Sequence, residues 1–178
     1  MWKKILIGMA AVLALFVVIV ALQPAQYRVT RTATIPAAPL VVFEQVNDLH
    51  KWQDWSPWEK LDPAMKRTFE GPGSGTGASY GWVGNKQVGE GKMSITESKA
   101  NELVRLKLEF IKPFASTATT EFTFKPEGDK TSVSWSMSGD KNFMSKAICL
   151  FMNMDKTVGG DFEKGLASLK SLVQVAAK

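Results

Sequence analysis

Apolar residues are distributed very unevenly along the chain. Ile5 to Leu22 is an unbroken run of 18 residues with no charge and no strongly polar side chain. Eighteen helical residues rise about 27 Å, close to the thickness of a bilayer's hydrocarbon core. Beyond Gln23-Pro24 the pattern turns to alternation. Tyr27 to Ile35 is rich in β-formers and predicts a strand ended by Pro36. Pro39 suits the first turn of a helix, and Leu40, Phe43 and Val46, with Val42 and Leu49, recur at helical spacing. The polar-aromatic stretch His50 to Ala64 contains Pro57 and Pro63 and predicts short helical turns. Strands are then predicted at about 65–70, 78–84, 88–99, 102–112, 115–126 and 130–139, separated by Gly, Pro and Asp turns. From about Phe143 helical spacing returns and continues to the end.

Counting by twos gives the sheet two unlike faces. One collects Met93, Ile95, Val104, Leu106, Leu108, Phe110, Ala118, Thr120, Phe122, Phe124, Val133, Trp135 and Met137. The other collects Lys92, Arg105, Lys107, Glu109, Glu121 and the series Ser132, Ser134, Ser136, Ser138. A sheet that is apolar on one side is antiparallel and covered on that side only. The cover is the last helix, whose Val158, Phe162, Leu166, Leu169 and Val173 form one stripe. The predicted class is α+β: strand, helix, a run of strands, then a long terminal helix. Gly159, Gly160 and Gly165 inside that helix each cost about 1 kcal/mol relative to alanine. They leave room either for a ligand or for close helix–sheet contact.

At 178 residues the chain accommodates one ordinary domain beside the apolar run, so 1–24 is read as a signal anchor or transmembrane segment and 25–178 as the domain. A cleaved signal peptide is the rival, but its apolar core is about 7–15 residues long and a small-x-small site follows it; none is seen around Ala21–Ala25. Lys3 and Lys4 precede the run, while Arg28 and Arg31 follow it. This slight bias favours an inner-membrane, single-pass chain with its domain on the periplasmic or extracytoplasmic side. Setting aside those two lysines, the chain's 22 basic residues become 20 against 17 acidic, a formal +3. That dispersed charge argues against nucleic acid as a partner. One cysteine and one histidine exclude an intrachain disulfide framework and leave no zinc-ligand pattern. Neither a metal nor a cofactor is predicted.

A family resemblance rests on Asn47-Asp48-Leu49 with Trp52, Trp55-Ser56-Pro57-Trp58, Glu70-Gly71-Pro72 and Gly75-x-Gly77-Ala78. It continues through Gly89-x-Gly91, Lys112-Pro113-Phe114, Thr131 to Met137, and Asp161 to Leu166. Over about residues 27–175 the chain resembles the START-like (SRPBCC) superfamily, in its polyketide cyclase/dehydrase-type branch. The resemblance implies a helix-grip fold, a curved antiparallel sheet wrapped around the long C-terminal helix. It also implies a hydrophobic cavity between the two that holds lipids, sterols, polyketides or similar molecules.

Chemistry beyond binding has few candidates. The glycines of Gly71–Ala78 mimic a dinucleotide fingerprint, but a strand follows where that motif needs a helix. His50 stands in a polar segment and suits a surface or capping role, and Cys149 lies among apolar residues as an inert thiol. Trp52, Trp55 and Trp58, near Asp54 and Glu59, either plug one end of the sheet or form an aromatic receptor for a cationic group. The expected cavity wall is Trp55, Trp58, Tyr80, Trp82, Leu106, Leu108, Phe122, Trp135, Phe162 and Leu166. A membrane-anchored binder of a hydrophobic small molecule or lipid is the leading expectation, held to the bilayer by residues 5–22. A cyclase or dehydratase would use the same cavity, with Tyr80 and Glu97 as proton-transfer groups. A third possibility is a protein-interaction module like the superfamily's chaperone activators, with the cavity filled as core.

Overall fold

The apolar N-terminal run forms helix α1 (Trp2–Ala21), almost wholly exposed and long and apolar enough to cross a membrane. The structure, a computed structural model, describes residues 2–176. Strand β1 (Gln26–Ile35) follows, then α2 (Pro39–Asn47), a 3-10 turn (Leu49–Lys51) and the short α3 (Trp52–Trp55). Six further strands come next: β2 (Lys66–Glu70), β3 (Ser79–Val83), β4 (Glu90–Lys99), β5 (Leu103–Lys112), β6 (Ser116–Glu127) and β7 (Lys130–Asp140). The chain ends in α4 (Phe143–Cys149) and α5 (Met154–Ala176).

All seven strands form one antiparallel sheet in the order β1-β7-β6-β5-β4-β3-β2. The predicted strand boundaries agree to within about two residues, because period-2 patterning fixes both the strands and their turns. The apolar face is inward: Val104, Leu106, Phe122, Val133 and Trp135 are fully buried or nearly so. Phe162, Leu166, Leu169 and Val173 of α5 meet it as one buried stripe. This is the helix-grip architecture, with α5 running along β1 and against α3, and α2 lying over β5, β6 and β7.

Two local features depart from the sequence reading. The C-terminal helical region is two helices, broken at Leu150–Asn153. Each begins on an asparagine cap: Asn142 Oδ1 accepts from the Ser145 N–H at 2.8 Å, and Asn153 Oδ1 from the Lys156 N–H at 2.9 Å. In β4 a bulge shifts the pairing between Ile95 and Glu97, so Ile95 faces Leu106 but Glu97 faces Arg105. One extra residue moves everything after it to the other face of the sheet.

The helical glycines resolve toward close packing. A methyl at Gly165 would lie 2.7 Å from the Trp135 ring and 3.1 Å from Pro57, and one at Gly159 would collide with the Arg31 guanidinium. That guanidinium reaches across α5 to Asp155 at 3.0 Å and Glu163 at 2.6 Å, tying β1 to the helix. The room left by these two glycines is filled by the protein's own side chains. A methyl at Gly160 would touch nothing within 4 Å.

Candidate functional site

The concave face of the sheet is not covered uniformly. The helices close over β1, β7, β6 and part of β5, while among the described residues no helix packs closely over β3 or β4. The resulting cavity has a volume of about 460 Å³, within the range of small-molecule sites. Seven expected residues line it: Tyr80 and Trp82 from β3, Leu106 and Leu108 from β5, Trp135 from β7, Phe162 from α5, and Trp58 after α3.

Three expected wall residues do not line it. Trp55, Phe122 and Leu166 are buried in the filled half of the interior. Trp55 packs edge-on to Phe122 at 6.0 Å and to Trp135 at 5.7 Å, and its indole N–H donates to the Gln45 carbonyl at 3.1 Å. The Trp52 indole N–H donates to the Val46 carbonyl at 2.9 Å. These two bonds satisfy carbonyls of the last turn of α2 that have no partner within the helix. The tryptophan cluster is thus divided in role: Trp55 is a plug, Trp52 both plugs and touches the cavity, and Trp58 is wall.

Glu97 is a correction. The β4 bulge carries it to the outer face, where it pairs with Arg105 and, at 2.9 Å, with Lys99. Lys99 and Arg105 hold its carboxyl below the usual range. It is not among the residues that line the cavity.

The polar heart of the cavity is Glu59, noted in the sequence only for its nearness to the tryptophans. Its side chain is 6% exposed. Oε1 accepts from the Tyr80 hydroxyl at 2.7 Å, and Oε2 accepts from Arg67 Nε at 2.9 Å and Nη2 at 2.5 Å. Arg67 Nη1 also donates to the Met65 carbonyl at 2.9 Å. Burial, followed by the Glu59 hydrogen bond and charge, pushes the Tyr80 phenol well above the ordinary tyrosine range. Tyr80 therefore keeps its proton at neutral pH and acts as a donor to Glu59. The carboxyl group is buried and both its oxygens are occupied.

Elsewhere the wall is mostly apolar and compliant, with Gln87, Lys112 and Asp161 among its other polar members. Met65, Met93, Met137 and Met152 contribute thioethers, which adapt to irregular shapes. Ser56 and Thr120 add buried hydroxyls. Met93, Thr120 and Met137 were legible as inward positions; Met65 and Met152 were not, since both lie in connections between elements. Trp135 is stacked between Phe122 at 4.7 Å and Phe162 at 4.1 Å, and its buried indole N–H has no hydrogen-bond partner among the described residues.

The remaining candidates lie outside. His50 is half-exposed, its ring Nδ1 donates to Asp48 Oδ1 at 3.0 Å, and it stacks on Phe69. Cys149 is half-buried beside a second, shallower groove. The Gly71–Ala78 loop joins β2 to β3 and lies at the end of the sheet away from the cavity mouth. Among the described residues no three His, Cys, Asp or Glu side chains converge.

An antiparallel sheet closed around a long terminal helix, with an apolar hollow at one end, defines a helix-grip protein. The sequence profile described as polyketide cyclase/dehydrase and lipid transport matches residues 26–174, and the chain belongs to this family. Among solved structures, TTHA0849 from Thermus thermophilus superposes with TM-score 0.61 at 16% identity, covering 85% of this chain and 100% of that one. The Aha1 dimer protein from Colwellia psychrerythraea gives 0.59 at 14% identity, with 83% and 96% covered. DynU16, from the dynemicin biosynthetic locus, gives 0.59 at 12% identity over 84% of this chain and 48% of that one. No curated protein matches the chain.

Proposed function

We propose that this chain is a membrane-anchored binding protein that holds one hydrophobic small molecule, lipid-like or polyketide-like, between the sheet and α5. The observation that carries this reading is the cavity's division of labour: a wide, mostly apolar wall in which both carboxylates already have partners, Glu59 with Arg67 and Tyr80, and Asp161 with Lys164. A catalytic acid or base needs a proton-carrying group free to reach the substrate. The Glu59 cluster instead offers a fixed polar end against which a ligand's polar group orients, while the methionines accommodate its apolar body. The family's lipid-transport description supports the same class of ligand.

In this reading α1 stays attached and spans the membrane, and the Lys3-Lys4 end remains on the cytoplasmic side, with the domain outside. A C-terminal alkaline phosphatase fusion tests the sidedness: an inactive fusion would overturn it. Binding is tested by purifying the full chain from membranes in mild detergent, then recording native mass spectra and extracting the bound molecule. A reproducible apolar molecule at about one per chain is the expected result. A homogeneous apo mass that takes up no lipid or polyketide from an added panel would refute the reading.

A further inference from the structure

The register places the two ends of the sheet in very different company. At one end lie the start of β1, where α1 joins, and the end of β7, since Gln26 faces Asp140. The same end holds the start of β6, the end of β5 and the start of β4: Ala118 faces Gly139, Phe110 faces Ser116, and Glu90 faces Lys112. The exposed large apolar side chains of the domain collect there. Of the eleven beyond α1 and its following Leu22, eight lie at this end: Leu61, Val83, Ile111, Phe114, Phe143, Met144, Phe151 and Met152. Phe151 is 85% exposed and Phe114 is 66% exposed. Only Leu40, Val41 and Val175 lie elsewhere.

This end is also fixed against the last turn of α1. Val20 is fully buried where α1 meets α4. Lys146 Nζ of α4 donates to the Ala21 carbonyl at 3.3 Å, and the Lys141 N–H donates to the Ala25 carbonyl at 2.7 Å. If α1 spans a bilayer with Ile5 to Leu22 in hydrocarbon, Val20 lies close to the interface, and so does the α4 surface that covers it. Lys86, Lys141 and Lys146 at the same end have no ion-pair partner among the described residues. Lysines with apolar neighbours suit an anionic phospholipid surface, burying their stems and keeping their charge at the headgroups.

The cavity opens toward this end. Lys112 and Pro113 line it just before Phe114, and Met152 lines it just after Phe151. Met152 also lines the second groove, which runs between the start of β1 and residues 149–155. Met152 is therefore shared between the cavity and a groove at the start of β1, the strand that follows α1.

From this continuity we infer that the rim formed by the β5–β6 turn, α4 and the α4–α5 connection docks into the bilayer leaflet from which α1 emerges. Phe114, Phe143, Met144 and Phe151 enter the acyl boundary, and the cavity mouth faces lipid. The inference rests on the anchored reading of α1 and adds a second, peripheral contact to it. A ligand then passes between leaflet and cavity without crossing water.

The test uses the full chain carrying Cys149→Ser and one new cysteine, Phe114→Cys, Phe151→Cys or Asp129→Cys, each labelled with an environment-sensitive fluorophore. These positions are exposed, so the substitutions remove little buried surface. The protein is reconstituted into phosphatidylcholine–phosphatidylglycerol vesicles containing a lipid spin-labelled high on its acyl chain. Quenching at positions 114 and 151 at least about two-fold stronger than at 129 is expected, as a rim inserted 5–10 Å requires. Equal quenching at all three positions overturns the inference. An alkaline carbonate wash reports anchoring separately. A chain that resists the wash without rim quenching refutes docking and leaves the anchor standing. A chain washed away after rim quenching refutes the anchor and leaves docking standing. The double variant Phe114→Asp with Phe151→Asp, keeping native near-ultraviolet circular dichroism, is expected to lose most lipid loading; full loading would count against a lipid-facing mouth.

Discussion

Two halves of one sheet face carry the same kind of residue and meet different fates. Beneath α2, α3 and the body of α5, Trp55, Phe122, Leu166 and Leu169 interlock with essentially no exposed surface. Toward β3, β4 and the end of β5, Trp82, Met93, Leu108 and Phe110 look into a hollow. Both halves alternate apolar and polar with the same period, and both are aromatic-rich. The difference lies in what stands opposite. The filled half meets two short helices pinned by the indole N–H bonds of Trp52 and Trp55 to α2, whereas the hollow half meets only the edge of α5 and a loop. An apolar strand face thus encodes burial, and the helices decide between core and container.

The sharpest way to break this comparison is to truncate one residue from each half. Trp55→Ala should cost about 3–5 kcal/mol, because its site is close-packed and cannot collapse. Leu108→Ala should cost only about 1–2 kcal/mol, since part of its surface already lacks neighbours. Urea midpoints of the two variants measure the gap, and equal losses would show that the hollow half is packed as tightly as the filled one.

Next in size is the polar centre of the hollow. Glu59→Gln leaves the Arg67 guanidinium, 21% exposed, without its carboxylate. A loss of about 2–3 kcal/mol is expected, below the range for fully buried pairs because solvent screens Arg67 in part. Adding Arg67→Met should recover a fraction of it. No recovery in the double-mutant cycle would mean that Glu59 acts mainly through Tyr80.

A smaller contrast tests the helix glycines. Gly165→Ala pushes a methyl into Trp135 and should destabilise by about 1–3 kcal/mol. Gly160→Ala meets open space and should stabilise by about 0.5–1 kcal/mol through helix propensity. Thermal unfolding of both variants gives the sign directly.

The smallest effect is alkaline. Tyr80 has its folded pKa raised above the ordinary 10.0 by burial and by Glu59. The folded state therefore holds this proton more tightly. Its contribution is complete below pH 10 and is lost as pH climbs through the folded value. Tyr27, raised by its own burial, shares the direction. Across about pH 9 to 11 the urea midpoint should fall less steeply in Tyr80→Phe than in the parent chain. An unchanged slope would place the alkaline loss elsewhere.

The comparison also shows how far residues alone carry a reading. Strand positions and their inward faces follow from a period of two, a local property of the chain. The phase of that alternation is not local, and the Ile95–Glu97 bulge moved Glu97 from a cavity candidate to an outer ion pair. Of the expected wall, Trp58, Tyr80, Trp82, Leu106, Leu108, Trp135 and Phe162 surround the hollow, while Trp55, Phe122 and Leu166 were buried elsewhere. The break that Asn153 caps was not read from the sequence, where helical spacing from Phe143 onward stood as one helix. Tyr80 was legible as an inward residue and Glu59 as a neighbour of the tryptophans, but their union with Arg67 was not, because the three come from a loop and two strands.

By itself the sequence determined the apolar N-terminal helix, the order of elements and the two-faced antiparallel sheet gripped by α5. Each rests on periodicity or composition, which act over one or two turns or strands. Only the tertiary structure decided which apolar side chains close into core and which surround a cavity. It also decided that Gly159 and Gly165 make room for Arg31 and Trp135, and that exposed apolar residues from several elements lie at the end of the sheet where α1 joins. Those outcomes depend on which surfaces face each other across the fold, a relation between distant segments that local pattern does not contain.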